Sequence, residues 1–132
     1  MSPAAGGIGS AISQSLAQDG YPVVANYVVP DSHKAWLDAM RGAGFSDAEV
    51  AFGDVGDGEN HRKKIGSIDV LVNCASITRD SQFRKMTKQQ WDAVIHVNLN
   101  SAFNVTRHVI DGMIERGWGL VINISSVNGQ KR

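Results

Sequence analysis

The chain has 132 residues, 42% of them hydrophobic and 20% charged, which is ordinary globular composition and enough for one modest domain. Thirteen basic residues balance thirteen acidic ones, and the basic runs His61–Lys64 and Gln130–Arg132 are short, which argues against a nucleic-acid partner. No apolar run reaches the length of a membrane span, no charged-then-apolar leader opens the chain, and the single cysteine, Cys74, rules out an internal disulfide. A soluble cytoplasmic protein with no membrane partner is expected.

The first predicted element is a helix. GGIGSAISQSLAQDG opens on glycines and carries Ile8, Ala11, Ile12 and Leu16 at helical spacing, with Gly20 as its stop. The β-rich run YPVVANYVV follows. Asp31 or Ser32 then caps a second helix, which places Trp36, Leu37 and Met40 on one face. AEVAFGDV reads as a short strand ending at Gly53-Asp54-Val55, with a brief helix between Asp57 and Ile65. SIDVLVNCAS is a continuous apolar strand, expected to be buried on both faces as parallel strands are.

The longest predicted element runs from Thr87 to about Arg116. Its residues Trp91, Val94, Ile95, Leu99, Ala102, Phe103, Ile110, Met113 and Ile114 keep a three-four spacing, and Gly117 ends it. GLVINIS is the last strand. There is no internal repeat, low-complexity tract or linker. Strands alternating with helices predict an α/β fold with a parallel sheet, whose right-handed crossovers gather the strands' C-terminal ends on one edge. Open sheets of this kind bind ligands there.

That edge collects residues with two readings each. Gly6-Gly7-Ile8-Gly9 is either a phosphate cradle at a helix N-terminus or a structural turn. Asp54 accepts from an adenine amino group or caps the next helix. The small residues Asn73–Ser76 admit a ligand or make a tight turn. Asn98 falls inside the apolar stripe with Leu99 and Ala102, where a buried amide must find partners such as a backbone carbonyl or a water. Ser125 and Ser126 form a loop turn or orient a reacting carbonyl. His33, His61, His96 and His108 show no metal-ligand spacing, so no metal is expected. His96 and His108 read as surface residues. No G-x-S-x-G elbow is present for an acyl-transfer serine.

In register, these pieces resemble the short-chain dehydrogenase/reductase family. The resemblance rests on Gly7-Ile8-Gly9, Asp54-Val55, Asn73-Cys74-Ala75-Ser76, Asn98-Leu99 and Asn123-Ile124-Ser125-Ser126, and runs through the whole chain. From Ser76 onward, SITRDSQFRKMT, WDAVI, RGWG and SSVNGQK look like the branch that reduces acetoacetyl-CoA for polyhydroxyalkanoate synthesis. A sister branch takes 3-oxoacyl thioesters of a carrier protein. The resemblance implies a partial NAD(P)-binding Rossmann domain over residues 1–132 and an acyl-CoA thioester as substrate. It also implies homotetramers that pair through the long helix Thr87–Arg116. Ser126 would orient the substrate carbonyl and Asn98 would hold a water in the proton relay. Gly7, Ile8 and Gly9 would face the pyrophosphate, Asp54 and Val55 the adenine, and Asn73, Cys74, Ala75 and Ser76 the nicotinamide-side ribose. Asp80 would lie towards the substrate. Asn26 and Tyr27 stand where an NAD enzyme places a carboxylate, and Ser32, His33 and Lys34 would face a 2′-phosphate, so the implied cofactor is NADP(H).

Five departures from the family pattern set further expectations. The Y-x-x-x-K pair that follows the serine loop is absent, the only tyrosines being Tyr21 and Tyr27. Ser2 and Pro3 stand where the family's first strand enters its glycine turn, so that strand, central to the sheet, is expected to be missing and two edges unpaired. The helix after Asp57 is short for a crossover. Cys74 replaces an asparagine, and Ser76 a glycine. The expected molecule is an incomplete, Rossmann-like doubly wound parallel sheet. It is either part of a reductase or a non-catalytic nucleotide-binding or interaction module.

Overall fold

The computed structural model describes residues 7–28, 31–55 and 67–126. Helix α1, Ile8–Gln18, leads into strand β1, Val24–Tyr27. Helix α2, Ser32–Gly42, leads into β2, Glu49–Phe52. Strand β3, Val70–Asn73, is followed by a single 3-10 turn, Phe83–Lys85, and then by helix α3, Lys88–Ile95. A π-helical segment, His96–Asn100, joins α3 to helix α4, Ser101–Glu115, and strand β4 is Leu120–Asn123. The brief helix expected between Asp57 and Ile65 lies outside the described residues.

The expected long helix is therefore three pieces. Thr87 starts it with a capping box: its hydroxyl accepts from the Gln90 N–H at 3.1 Å, and its own N–H donates to Gln90 Oε1 at 2.9 Å. The π-helical turn adds a residue per turn and rotates everything after it about the axis. The Ser101 hydroxyl bonds back to the Val97 carbonyl across this joint.

Helices α1, α2 and α4 end the same way. Gly20, Gly44 and Gly117 sit at φ 87°, 94° and 69°. Each donates its N–H to the carbonyl three residues back, and the next residue, Tyr21, Phe45 or Trp118, donates to the carbonyl five back. This pair of bonds satisfies carbonyls that the helix itself leaves open.

The strands pair in parallel as two separate two-stranded sheets, β1 with β2 and β3 with β4. Val24 stands opposite Glu49 and Tyr27 opposite Phe52, while Val70 stands opposite Leu120 and Asn73 opposite Asn123. Among the described residues no strand joins β1 to β3, which agrees with the incomplete sheet that the sequence predicts. The core lies under the first sheet. Trp36 and Met40 of α2 pack with Val23 and Ala48, flanked by Leu16, Leu37 and Phe45. Met40 is fully buried. Strand β3 is less enclosed than its apolar run predicts: Leu71 is buried, but Val70, Val72 and Asn73 are half-buried. Arg116 ties the end of α4 to the approach to β3 through the Ile68 carbonyl at 2.6 Å and the Asp69 carboxylate at 3.1 Å. No helix among the described residues is long and apolar enough to cross a membrane.

Candidate active site

Gly7 caps α1 at φ 88° with no side-chain cap, so the first N–H groups of the helix face outward from a bare turn. Gly9 is half-buried, and a Cβ added there would meet no atom within 4 Å. The dipole of such a helix N-terminus favours an anion. Ile8, the first residue of the helix, is 60% exposed.

The end of β1 meets the start of α2. Asp31 is the N-cap residue, as the sequence allows, but its side chain does not cap. It lies at φ 65° with its carboxylate 2.7 Å from the Lys34 ammonium. That hydrogen bond and the lysine's charge hold the Asp31 carboxyl below its ordinary value and raise Lys34 above its own. The His33 ring stacks on Tyr27 at 4.3 Å, and Tyr27 meets Phe52 edge-on at 5.3 Å. His33 Nδ1 is shielded from solvent without a hydrogen-bond partner among the described residues. Ser32 is half-buried beside it.

Asn26 carries a role that the sequence reading missed. Its amide donates to the carbonyls of Ala51 at 3.2 Å and Gly53 at 3.0 Å, holding the end of β2 against β1 just before Asp54. A polar residue in a β-rich run was the available signal. Asp54 itself is about half exposed, and its carboxylate lies 3.9 Å from His96 Nε2. Val55 is buried. His96, read from sequence as a surface residue, thus stands between the end of the first sheet and the π-helical segment.

The second sheet supplies the rest. Asn73 donates to Asn123 Oδ1 at 2.8 Å and to the Thr106 hydroxyl at 3.3 Å, tying β3 to β4 and to α4. Cys74 and Ala75 are half-buried and Ser76 is exposed. Asn98 is exposed rather than buried, a correction to the sequence reading. The π-helical segment turns it out of the apolar stripe towards the loop after β3. There its Oδ1 accepts from the Ile77 N–H at 2.8 Å and its Nδ2 donates to the Ile77 carbonyl at 3.0 Å. Asn98 therefore holds both sides of the residue that follows the Asn73–Ser76 turn. The Ile124 N–H donates to the Asn73 carbonyl at 2.9 Å, so the serine loop leaves β4 beside that turn. Ser126 is exposed three residues past the strand end, and Asp80 is exposed in the stretch after Ile77. Among the described residues no His, Cys, Asp or Glu group is placed to hold a metal ion.

A family model described as short chain dehydrogenase matches residues 3–132. The chain belongs to the short-chain dehydrogenase family. It is 51% identical over 135 residues to the acetoacetyl-CoA reductase of Cupriavidus necator, covering 96% of this chain and 54% of that protein. It is equally identical to nodulation protein G of Azospirillum brasilense, and 39% identical to the 3-oxoacyl-acyl-carrier-protein reductase of Thermotoga maritima. Among solved structures it matches a gluconate 5-dehydrogenase from Burkholderia cenocepacia, determined with NADP and tartrate, at a TM-score of 0.86 and 32% identity. That match covers 98% of this chain and 53% of that one. The chain spans about half the length of the relatives it matches. The fold is accordingly a short-chain dehydrogenase's Rossmann-like fold in incomplete form, with two small sheets in place of one.

Proposed function

We propose that this chain supplies part of an NADPH-dependent reductase of 3-oxoacyl-CoA thioesters, acting on acetoacetyl-CoA in the cytoplasm for polyhydroxybutyrate synthesis. The observation that carries the reading is the double hydrogen bond from Asn98 to Ile77, which fixes the Asn73–Ser76 turn beside the serine loop. The open helix start at Gly7 and Gly9 fits a pyrophosphate, and the similarity to acetoacetyl-CoA reductases supports the choice of thioester. Residues 1–132 then form one partial NAD(P)-binding domain.

When bound, NADPH supplies the hydride that reduces the 3-keto carbon. The chain's own residues bind and orient. Gly7, Ile8 and Gly9 present backbone N–H groups to the pyrophosphate. Asp54, steadied through Asn26, accepts from the adenine amino group, and Val55 packs behind it. Ser32, His33 and Lys34 face the 2′-phosphate, where Lys34 must be shared with Asp31. Asn73, Cys74, Ala75 and Ser76 line the ribose on the nicotinamide side. The Ser126 hydroxyl donates to the substrate's keto oxygen, and Asp80 lies towards the thioester. Asn98 spends one donor and one acceptor on Ile77 and keeps one of each for a water. Neither Tyr21 nor Tyr27 stands four residues before a lysine, so these 132 residues hold no Y-x-x-x-K proton donor.

The test is titration with NADPH, read by tryptophan fluorescence, beside an assay with acetoacetyl-CoA. Saturable binding is expected, with turnover at least about a hundredfold below that of the C. necator enzyme. Failure to bind NADPH overturns the reading. The same geometry serves a carrier-protein thioester, which the assay distinguishes by substrate.

A second reading, a binding module, is favoured by the exposed apolar face of the helical run. Trp91, Leu99, Phe103 and Ile114 are 49–69% exposed, with the Arg107 guanidinium 5.9 Å above the Phe103 ring. In this reading the face pairs with another subunit, as in a homotetramer. Concentration-dependent association, abolished by Phe103→Glu, is its test.

A further inference from the structure

The π-helical segment His96–Asn100 reaches two places at once. Residues two apart on a helix point away from each other. Asn98 turns to the loop after β3 and bonds Ile77, while His96 turns to the end of β2, where its Nε2 lies 3.9 Å from Asp54 Oδ2. Both His96 and Asp54 are half exposed. An exposed pair of this kind contributes little to stability, so the contact is weak as a fastener between the two sheets. It is also about 1 Å too long for a hydrogen bond. The two bonds from the Asn26 amide fix the backbone before Asp54, at Ala51 and Gly53, and do not act on its carboxylate.

We propose that His96 is a positioning residue for the adenine end of the cofactor: its imidazole N–H turns the Asp54 carboxylate towards the adenine 6-amino group and holds it there. The inference rests on the proposed reading that Asp54 accepts from that amino group. A carboxylate has about four lone-pair sites, so Asp54 can serve the amino group and His96 together. Nε2 carries a proton in the protonated imidazole and in one of the neutral tautomers, so the role needs no change of charge. Closing the last ~1 Å takes a side-chain rotation, which exposed residues make in nanoseconds or less. The amino group donates and a carboxylate only accepts, so the arrangement selects a base that carries a donor at this place. A purine without the amino group gains nothing from a carboxylate held towards it. On this reading one five-residue segment serves both ends of the dinucleotide, with Asn98 at the turn that lines the nicotinamide-side ribose and His96 at the adenine.

The experiment uses the whole chain and two nucleotides: NADPH, and its analogue with hydrogen in place of the adenine 6-amino group. Dissociation constants are read by tryptophan fluorescence. The unaltered chain is expected to bind NADPH roughly three- to tenfold more tightly than the analogue. His96→Leu keeps a side chain of similar bulk and removes the donor. It is expected to weaken NADPH by roughly the same factor and to leave the analogue within about twofold. His96→Gln, which keeps an N–H donor, is expected to bind NADPH within about twofold of the unaltered chain. In an Asp54→Asn background, His96→Leu is expected to change neither constant. Thermal midpoints are expected to stay within about 2 °C throughout, whereas a merely structural role would move them and both constants together. Equal loss of both nucleotides in His96→Leu, loss of neither, or a glutamine variant as weak as the leucine one would overturn the inference. A chain that binds the two nucleotides equally tightly overturns it too and leaves the proposed reductase standing. A chain that binds neither overturns both.

Discussion

Asn98 spends both halves of its amide on one residue, Ile77. Its Oδ1 and Nδ2 have no charge to lend, so the pair is worth about 1–2 kcal/mol on an exposed site. Its effect is positional. Asn98→Ala is expected to leave the fold intact, to speed exchange of the Ile77 amide at least tenfold, and to weaken NADPH binding by a similar factor. Asn98→Asp keeps the acceptor, sets a carboxylate against the Ile77 carbonyl, and should fare no better. Asp31 and Lys34, by contrast, act through charge. Asp31 titrates below its ordinary value, so its share of the pair is present at neutral pH and lost as pH falls through that lowered value. Lys34 titrates above its ordinary value, so its share is lost only as pH rises through the raised one. Between pH 5 and 9 the pair is constant, and carboxyl chemical shifts should show no change in it. Asp31→Asn releases Lys34, and on the proposed reading NADPH should bind a few-fold tighter while NADH is unaffected. The sequence marked Asn98 as unusual because of its place in the stripe, yet the reason it matters is a backbone bond that periodicity does not encode. Asn26 was read only as the absence of a carboxylate and His96 only as a surface residue, because their partners, Gly53 and Asp54, lie far away in sequence.

Elements were legible where one face had to be buried. Trp36 and Met40 of α2 are buried as their spacing demands, and Gly20 and Gly117 close α1 and α4 where they were expected to, while Gly44 does the same for α2 unforeseen. Strand β3 was overcalled in length, since an apolar run reports burial and not pairing. The π-helical segment was invisible for a physical reason. Adding one residue to a turn shifts the apolar stripe by about 100°, and an alternation of apolar positions as dense as Val94 to Phe103 absorbs that shift without a gap. The junction between α4 and β4 is more tightly specified than its sequence suggests. A Cβ at Gly119 would lie 2.4 Å from Met113 Cγ and 2.6 Å from its Cβ. Met113 is buried and its Cβ cannot swing away. Gly119→Ala should therefore cost about 1–3 kcal/mol in urea unfolding, and the same substitution should cost less when measured in a Met113→Ala background, which lacks the crowding Cγ and Sδ.

The molecule as a whole is two half-sheets. The first has its own core around Trp36 and Met40; the second is tied to α4 by the Asn73–Thr106 hydrogen bond. Among the described residues His96 stands 3.9 Å from Asp54 at one end of the two sheets, and a cavity lies between them. Such a molecule should not unfold as one unit. Single-tryptophan variants retaining Trp36 or Trp118 are expected to give different urea midpoints, and coincident curves would show the halves to be coupled. The parallel α/β architecture was readable from the alternation of elements. The split sheet was readable only through the family resemblance, because no residue in β1 or β3 records which neighbour it lacks.

The shared ending of α1, α2 and α4 bears on chirality. Gly20, Gly44 and Gly117 are exposed, left-handed, and have no atom within 4 Å of an added L-side-chain carbon. Crowding is therefore not what reserves them. L-alanine at any of the three should cost about 1–2 kcal/mol, purely for its handedness. D-alanine, introduced by chemical ligation, prefers the mirror basin that these positions already occupy. It should instead stabilise each helix end by about 0.4–1 kcal/mol, by narrowing the unfolded chain's choices. At these three points the protein asks for the enantiomer that ribosomes do not supply, and glycine, having no hand, is the compromise.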